Sequence, residues 1–135
     1  MAKVSPTQRT LAECRKRGYP AQVVEQTIPR TFIKRDLFGC IDIIAIERCC
    51  PEHANGECCA PKVLAIQATS NNGGNHSARR AKILAEPRIR AWLLAGGRFE
   101  IWSWAKQGAR GKRKAWTLRA EEISLADFAD GAVKA

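Results

Sequence analysis

Cys40-Ile-Asp42-Ile-Ile-Ala-Ile46 and Val63-Leu-Ala-Ile-Gln67-Ala-Thr69 are two short apolar runs, each broken by one polar group. Both are rich in β-branched residues and bounded by loop signals, which predicts buried strands rather than helices. If residues 48–62 form a loop, the runs pair as an antiparallel hairpin in which Asp42 and Gln67 lie equally far from its centre. Directly opposed side chains stand about 4.5–5.5 Å apart at Cβ, close enough to share one divalent cation. A lone buried aspartate is costly unless a metal or strong donors compensate it. The alternative is a carboxylate satisfied by backbone amides, with a glutamine at a strand end.

Outward from this hairpin, Thr7 to Arg17 reads as a first helix, with Leu11, Ala12 and Cys14 available to the core and Gly18-Tyr-Pro20 stopping it. A strand follows at 21–27, then a polar, basic stretch, 28–37, that leads toward Asp42 and brings Arg35 and Asp36 beside it. On the other side, Thr69 to His76 is a polar loop, and a helix from about Ser77 carries Arg79, Arg80 and Lys82 in its first turns. Its N-terminus adds positive potential for a phosphate. His76 has two readings, a catalytic group or a residue that caps this helix.

Pro87 opens a second helical segment through Leu94, which Gly96-Gly97 ends. Phe99 to Trp104 alternates with period two: Phe99, Ile101 and Ser103 take one face, Glu100, Trp102 and Trp104 the other. A further strand spans 115–120, and Ser124 caps a short last helix. The expected architecture is therefore α/β, a mixed sheet of about five strands flanked by helices, in a single domain over residues 1–135. No apolar stretch approaches 18 residues and the first residues lack a signal peptide's apolar core, so a cytoplasmic protein is expected.

The formal net charge is +10, and the excess is clustered. Lys106, Arg110, Lys112, Arg113, Lys114 and Arg119 lie in an acid-free stretch, while Arg79, Arg80, Lys82, Arg88 and Arg90 are opposed only by Glu86. Such patches attract polyanions, which points to DNA over a membrane because no basic amphipathic helix has a bulky apolar face. Trp104 adjoins the basic loop and is the best placed of the four tryptophans to stack on a base, although core packing is the commoner role for such a residue.

Four of six cysteines crowd into Cys49-Cys50-Pro-Glu-His53-Ala-Asn-Gly-Glu-Cys58-Cys59 within the inserted hairpin loop. The pairing that aligns Asp42 with Gln67 sets Cys50 opposite Cys59. Converging thiolates with His53 form a candidate structural zinc site, against reduced thiols or a Cys50–Cys59 disulfide. Cys14 and Cys40 read as core residues.

Phe38-Gly-Cys-Ile-Asp42-Ile-Ile and Ile66-Gln67-Ala68-Thr69 together resemble the paired motifs of the PD-(D/E)XK nuclease superfamily, in particular its small Holliday-junction-resolvase-like and phage-type members. The resemblance implies a restriction-endonuclease-like core and Mg²⁺- or Mn²⁺-dependent hydrolysis of DNA, including branched DNA. It implies that Asp42, Gln67 and the Ala68 carbonyl ligate the metal, and that the protein is a homodimer. Gln67 departs from the family's usual acid and Thr69 from its usual lysine. Lys82 or Arg79, with His76, would then supply the positive charge, and Asp36, Glu25 or Glu13 a second carboxylate. A protein that keeps the fold and binds nucleic acid without turnover is the alternative.

Overall fold

A computed structural model describes residues 4–47, 61–71, 74–108, 111 and 113–128. The Cys49, Cys50, His53, Cys58 and Cys59 set, and Arg110 and Lys112 of the basic loop, lie outside the described residues.

Helix α1, Pro6–Arg17, starts at Ser5, whose side chain accepts from the Gln8 N–H while Gln8 returns a bond to the Ser5 N–H. Pro6 sits in the first turn, where its missing N–H costs nothing, and Gly18 ends the helix at φ 78°. Cys14 and Thr10 are buried and Leu11 packs partly; Ala12, expected in the core, is exposed because that face of α1 turns to solvent.

The sheet has five strands in the order β1-β4-β5-β6-β7. These are β1, Ala21–Val23; β4, Ile43–Glu47; β5, Lys62–Ser70; β6, Arg98–Gln107; and β7, Ala115–Ile123. The strand expected at 21–27 is two pieces. After β1 the chain leaves the sheet, and β2, Gln26–Thr27, pairs instead with β3, Lys34–Arg35, in a small hairpin with Phe32 fully exposed near its tip. β4 and β5 are antiparallel with Ile43 opposite Ile66. The ladder ends there, and Asp42, one residue before β4, donates its N–H to the Ile66 carbonyl at 3.0 Å, so it meets Gln67 through their side chains rather than as a ladder pair.

β5 and β6 are parallel, so their connection must cross the sheet; α2, Asn75–Leu84, and α3, Pro87–Leu94, make that crossover. Gly97 permits the tight return into β6: a Cβ there would lie 2.4 Å from Trp92 Nε1, which donates to the Arg98 carbonyl at 2.8 Å. β7 runs three residues beyond the expected 115–120 before Leu125–Phe128 forms a 3-10 turn.

The alternation in β6 divides the core. Ile43, Leu64, Ile66, Trp102 and Trp104 pack under α1, while Ala65, Phe99 and Ile101 pack with Ile83 and Ile89 of α2 and α3. The result is an α/β domain with helices on both faces of a mixed sheet. Among the described residues no helix is long and apolar enough to cross a membrane.

Candidate active site

Asp42 immediately precedes β4, on the sheet face covered by α2 and α3, and is only 7% exposed. Its Oδ2 accepts from the Gln67 side-chain Nε2 at 2.6 Å and from the Ala68 N–H at 2.9 Å. Gln67 is itself buried, and its Oε1 has no hydrogen-bond partner among the described residues. A strand residue projects its N–H and C=O toward the same neighbour. The Ala68 carbonyl therefore points to the same edge as the N–H that holds Asp42.

A tight turn brings the second acid. Phe38 and Gly39 have φ of 56° and 75°, and the Cys40 N–H donates to the Leu37 carbonyl at 3.1 Å. Two successive positive φ values let the chain reverse within the three residues 38–40, between the paired Leu37 and Ile41. Leu37 bridges Ile41, so Asp36 and Asp42 are the next opposed pair outward. Phe38 is a bulky residue in the left-handed region; it stays there because it packs on the α3 core and Arg88 stacks over its ring at 5.1 Å.

Glu25, between β1 and β2, completes the group: oxygens of Glu25, Asp36 and Asp42 all lie within 4.8 Å of one another. Burial, then the neighbouring Asp36, push the Asp42 carboxyl up to about 8; the Ala68 N–H pulls the other way and Glu25 adds to the rise. Lys34 is the cation nearest to Glu25, at 3.9 Å. Glu13, the third candidate acid, lies on α1 across the sheet and pairs with Arg17 at 2.8 Å, so it takes no part.

The basic residues of α2 divide by helical phase. His76, Arg80 and Ile83 share the face turned to β6 and β7. Arg79 and Lys82 fall on the flank away from Arg80, and Lys82 is close enough to Cys40, two residues before Asp42, to oppose the upward push that burial gives its thiol. Arg79 is half-buried and Lys82 exposed, and neither is in the described ion pairs.

His76 is not at the acid cluster. It is buried, with Nδ1 2.5 Å from Ser103 Oγ and Nε2 2.7 Å from Glu121 Oε1. Arg80, expected to meet DNA, donates to the same Glu121 at 3.1 Å and to Asp127 at 2.9 Å, tying α2 to β7 and the last turn. Burial acts to raise the Glu121 carboxyl, but bonds from His76 and Arg80 outweigh it and hold the group below its usual range. Glu121 and Asp127 were not singled out by the sequence. The available signal was Ser103, a hydroxyl on the otherwise apolar Phe99–Ile101 face.

Thr69, in the place of the family's lysine, is buried, and its hydroxyl reaches only the Ser70 carbonyl at 3.4 Å. Arg35, Lys106, Arg113 and Lys114 are exposed on the hairpin and around the β6–β7 loop. The arrangement can therefore hold a cation among acids on a rigid sheet edge, with uncommitted positive charge on the adjacent helix flank. Comparison with protein-family models, with curated proteins and with solved structures finds no match for the chain.

Proposed function

We propose that the chain is a divalent-metal-dependent DNA endonuclease of the PD-(D/E)XK type with a restriction-endonuclease-like core. One observation carries this reading: three carboxylates converge beside a buried glutamine whose carbonyl oxygen has no hydrogen-bond partner among the described residues. Acids packed this closely resist ionisation unless protons or a cation neutralise them, and an unsatisfied buried acceptor suits a hard cation. The donor set therefore fits Mg²⁺ or Mn²⁺. Asp42 and Asp36 would hold it, with the Ala68 carbonyl and with Gln67 after its amide turns. Glu25 and Asp36 supply the negative charge that Gln67 lacks.

When bound, such a cation lowers the pKa of a bound water and polarises a phosphoryl oxygen. The chain's own residues do the rest. Arg79 and Lys82 take the scissile phosphate and stabilise the charge that develops as water oxygen bonds to phosphorus and the bond to the leaving oxygen breaks. Arg35 on the β2–β3 hairpin holds the flanking backbone, with Lys106, Arg113 and Lys114 as a second region of phosphate contact. Branched DNA is the proposed substrate, and symmetric cutting of it requires two sites, hence a homodimer.

A DNA-binding protein without turnover is the second reading, favoured by the Gln67 amide donating to Asp42 and by Thr69 in the lysine position. The test is cleavage of labelled duplex, single-stranded and four-way-junction DNA in Mg²⁺ or Mn²⁺ by wild type and Asp42→Asn. Cutting that needs metal and disappears in the variant supports the nuclease. Intact DNA with salt-sensitive binding by both proteins overturns it in favour of the second reading.

A further inference from the structure

On the opposite face of the sheet, a cleft of about 450 Å³ lies between the start of α1 and the β6–β7 hairpin. It is lined by Val4, Pro6, Arg9, Ser70, Trp104 and Trp116. Its volume falls in the ~300–1,000 Å³ range of small-molecule and cofactor sites.

The two tryptophans differ. Trp104 is a fixed wall, buried, with its indole N–H donating to Thr10 Oγ1 at 3.0 Å. Trp116, near the start of β7, is 41% exposed. The Arg9 guanidinium lies 3.7 Å from the Trp116 ring centre and the Lys106 ammonium 5.6 Å from it. Arg9 Nε is buried with no hydrogen-bond partner among the described residues. The described ion pairs engage Arg17, Lys34, His76, Arg80, Arg88 and Arg98, and neither Arg9 nor Lys106. Among the described residues no acid lines the cleft, and Arg113, Lys114 and Arg119 are exposed nearby in the chain.

A half-exposed indole with the Arg9 guanidinium stacked over its ring, the Lys106 ammonium beside it and neither cation in the described ion pairs, matches one chemistry: a flat aromatic base carrying a phosphate. We propose that this cleft binds an unpaired nucleotide of a single strand, its base stacked on the Trp116–Arg9 pair and its phosphate on the guanidinium N–H groups of Arg9 and on Lys106. Stacking on an indole is tolerant of base identity, so the site reads strandedness rather than sequence. Ser70 on the cleft ends β5 three residues after Gln67, so the cleft and the acid cluster occupy the same end of the sheet on its two faces. A strand leaving the cleft over that end is directed toward Asp42. Only this last connection rests on the nuclease reading; the binding itself does not.

The test is fluorescence anisotropy in EDTA, where turnover plays no part, with labelled dT12, an abasic 12-mer of equal charge, a 12-base-pair duplex, and dTMP as competitor. The expected order places dT12 well ahead of both the abasic strand and the duplex. Trp116→Ala should weaken dT12 binding about 5- to 150-fold, the range of one base–aromatic stack. Trp116→Phe should keep most of the binding while losing the tryptophan quenching that dT12 causes. Arg9→Ala should weaken dT12 and lower the salt slope by about one. Unchanged thermal melting controls for folding. Equal affinity for abasic and dT12 strands, wild-type binding by Trp116→Ala, or dTMP binding as tightly as dT12 would each overturn the proposal. Failure of the DNA-cleavage assay leaves these results unaffected.

Discussion

Replacing Asp42 by Asn should make the metal-free protein more stable at neutral and alkaline pH, not less. Asn presents the same oxygen to the Gln67 amide and the Ala68 N–H, so both donors stay satisfied. It removes a carboxyl held at about 8, against an ordinary 3.8, by burial and by Asp36. A folded-state pKa above the unfolded one contributes stability that is complete below the unfolded value and disappears as pH rises through the folded value. The wild type should therefore lose stability progressively between about pH 4 and pH 8. At ~1.4 kcal/mol per pKa unit the ceiling is ~6 kcal/mol. Relaxation of the partly exposed Glu25 and of the turn that carries Asp36 reduces this to roughly 2–4 kcal/mol, or ~8–15 °C in Tm for a domain of this size. A divalent cation should reverse the order, because only the wild type binds it. At a hundredfold excess over Kd the gain is ~2.7 kcal/mol, larger at pH 9 than at pH 6, where protons compete. Thermal melts of both proteins at pH 5, 7 and 9, with EDTA or Mn²⁺, measure all of this. The reasoning is refuted if Asp42→Asn melts below the wild type at pH 8 in EDTA, or if Mn²⁺ shifts both proteins equally.

Arg79→Ala and Lys82→Ala should each reduce DNA cleavage by ~10- to 1,000-fold with melting unchanged. Arg80→Ala should do the opposite, costing ~1–3 kcal/mol through Glu121 and Asp127 while sparing cleavage per folded molecule; single-turnover rates beside melts separate the two. Glu121→Gln should flatten the acid limb of the stability curve. The lowered Glu121 pKa contributes stability present above its unfolded value and lost as pH falls through the lowered folded one, which urea titrations across the acid range resolve. Gly97→Ala drives a methyl to within 2.4 Å of the Trp92 indole and should cost ~1–3 kcal/mol, whereas the double change with Trp92→Leu should recover part of the loss.

The hairpin beside Asp42 and Gln67 was legible because two apolar runs flank one loop whose centre is equally far from both residues. The period-two alternation of Phe99–Trp104 likewise assigned each side chain to its core. Asp36 was recognised only by proximity in sequence. Its placement opposite Asp42 depends on Phe38 adopting positive φ, which no propensity predicts for a bulky aromatic and which contacts with α3 enforce. Glu25 joins the cluster only because β1 and β2 separate, a break invisible in a run of strand-forming residues. His76 carried two readings, a catalytic group or a helix cap, and is neither at the acid cluster nor a cap of α2; its partners are 27 and 45 positions away, beyond any local pattern. Trp104 was preferred for stacking because it adjoins the basic loop, which Trp116 does too; the bond from the Trp104 indole to Thr10 separates the buried ring from the exposed one.

The β4–β5 hairpin also separates two ends of the molecule. Asp42 enters at one end, and Glu47 pairs with Lys62 at the other, five residues and roughly 17 Å along the strand. The cysteine-rich insertion thus joins the chain at the end of the β4–β5 ladder opposite Asp42. Replacing residues 48–60 with a short turn should leave the Asp42–Gln67 register intact, since the apolar pattern of the strands defines it. The insertion point is a natural graft position: a segment there can change in length, chemistry or partner while the carboxylates stay in place.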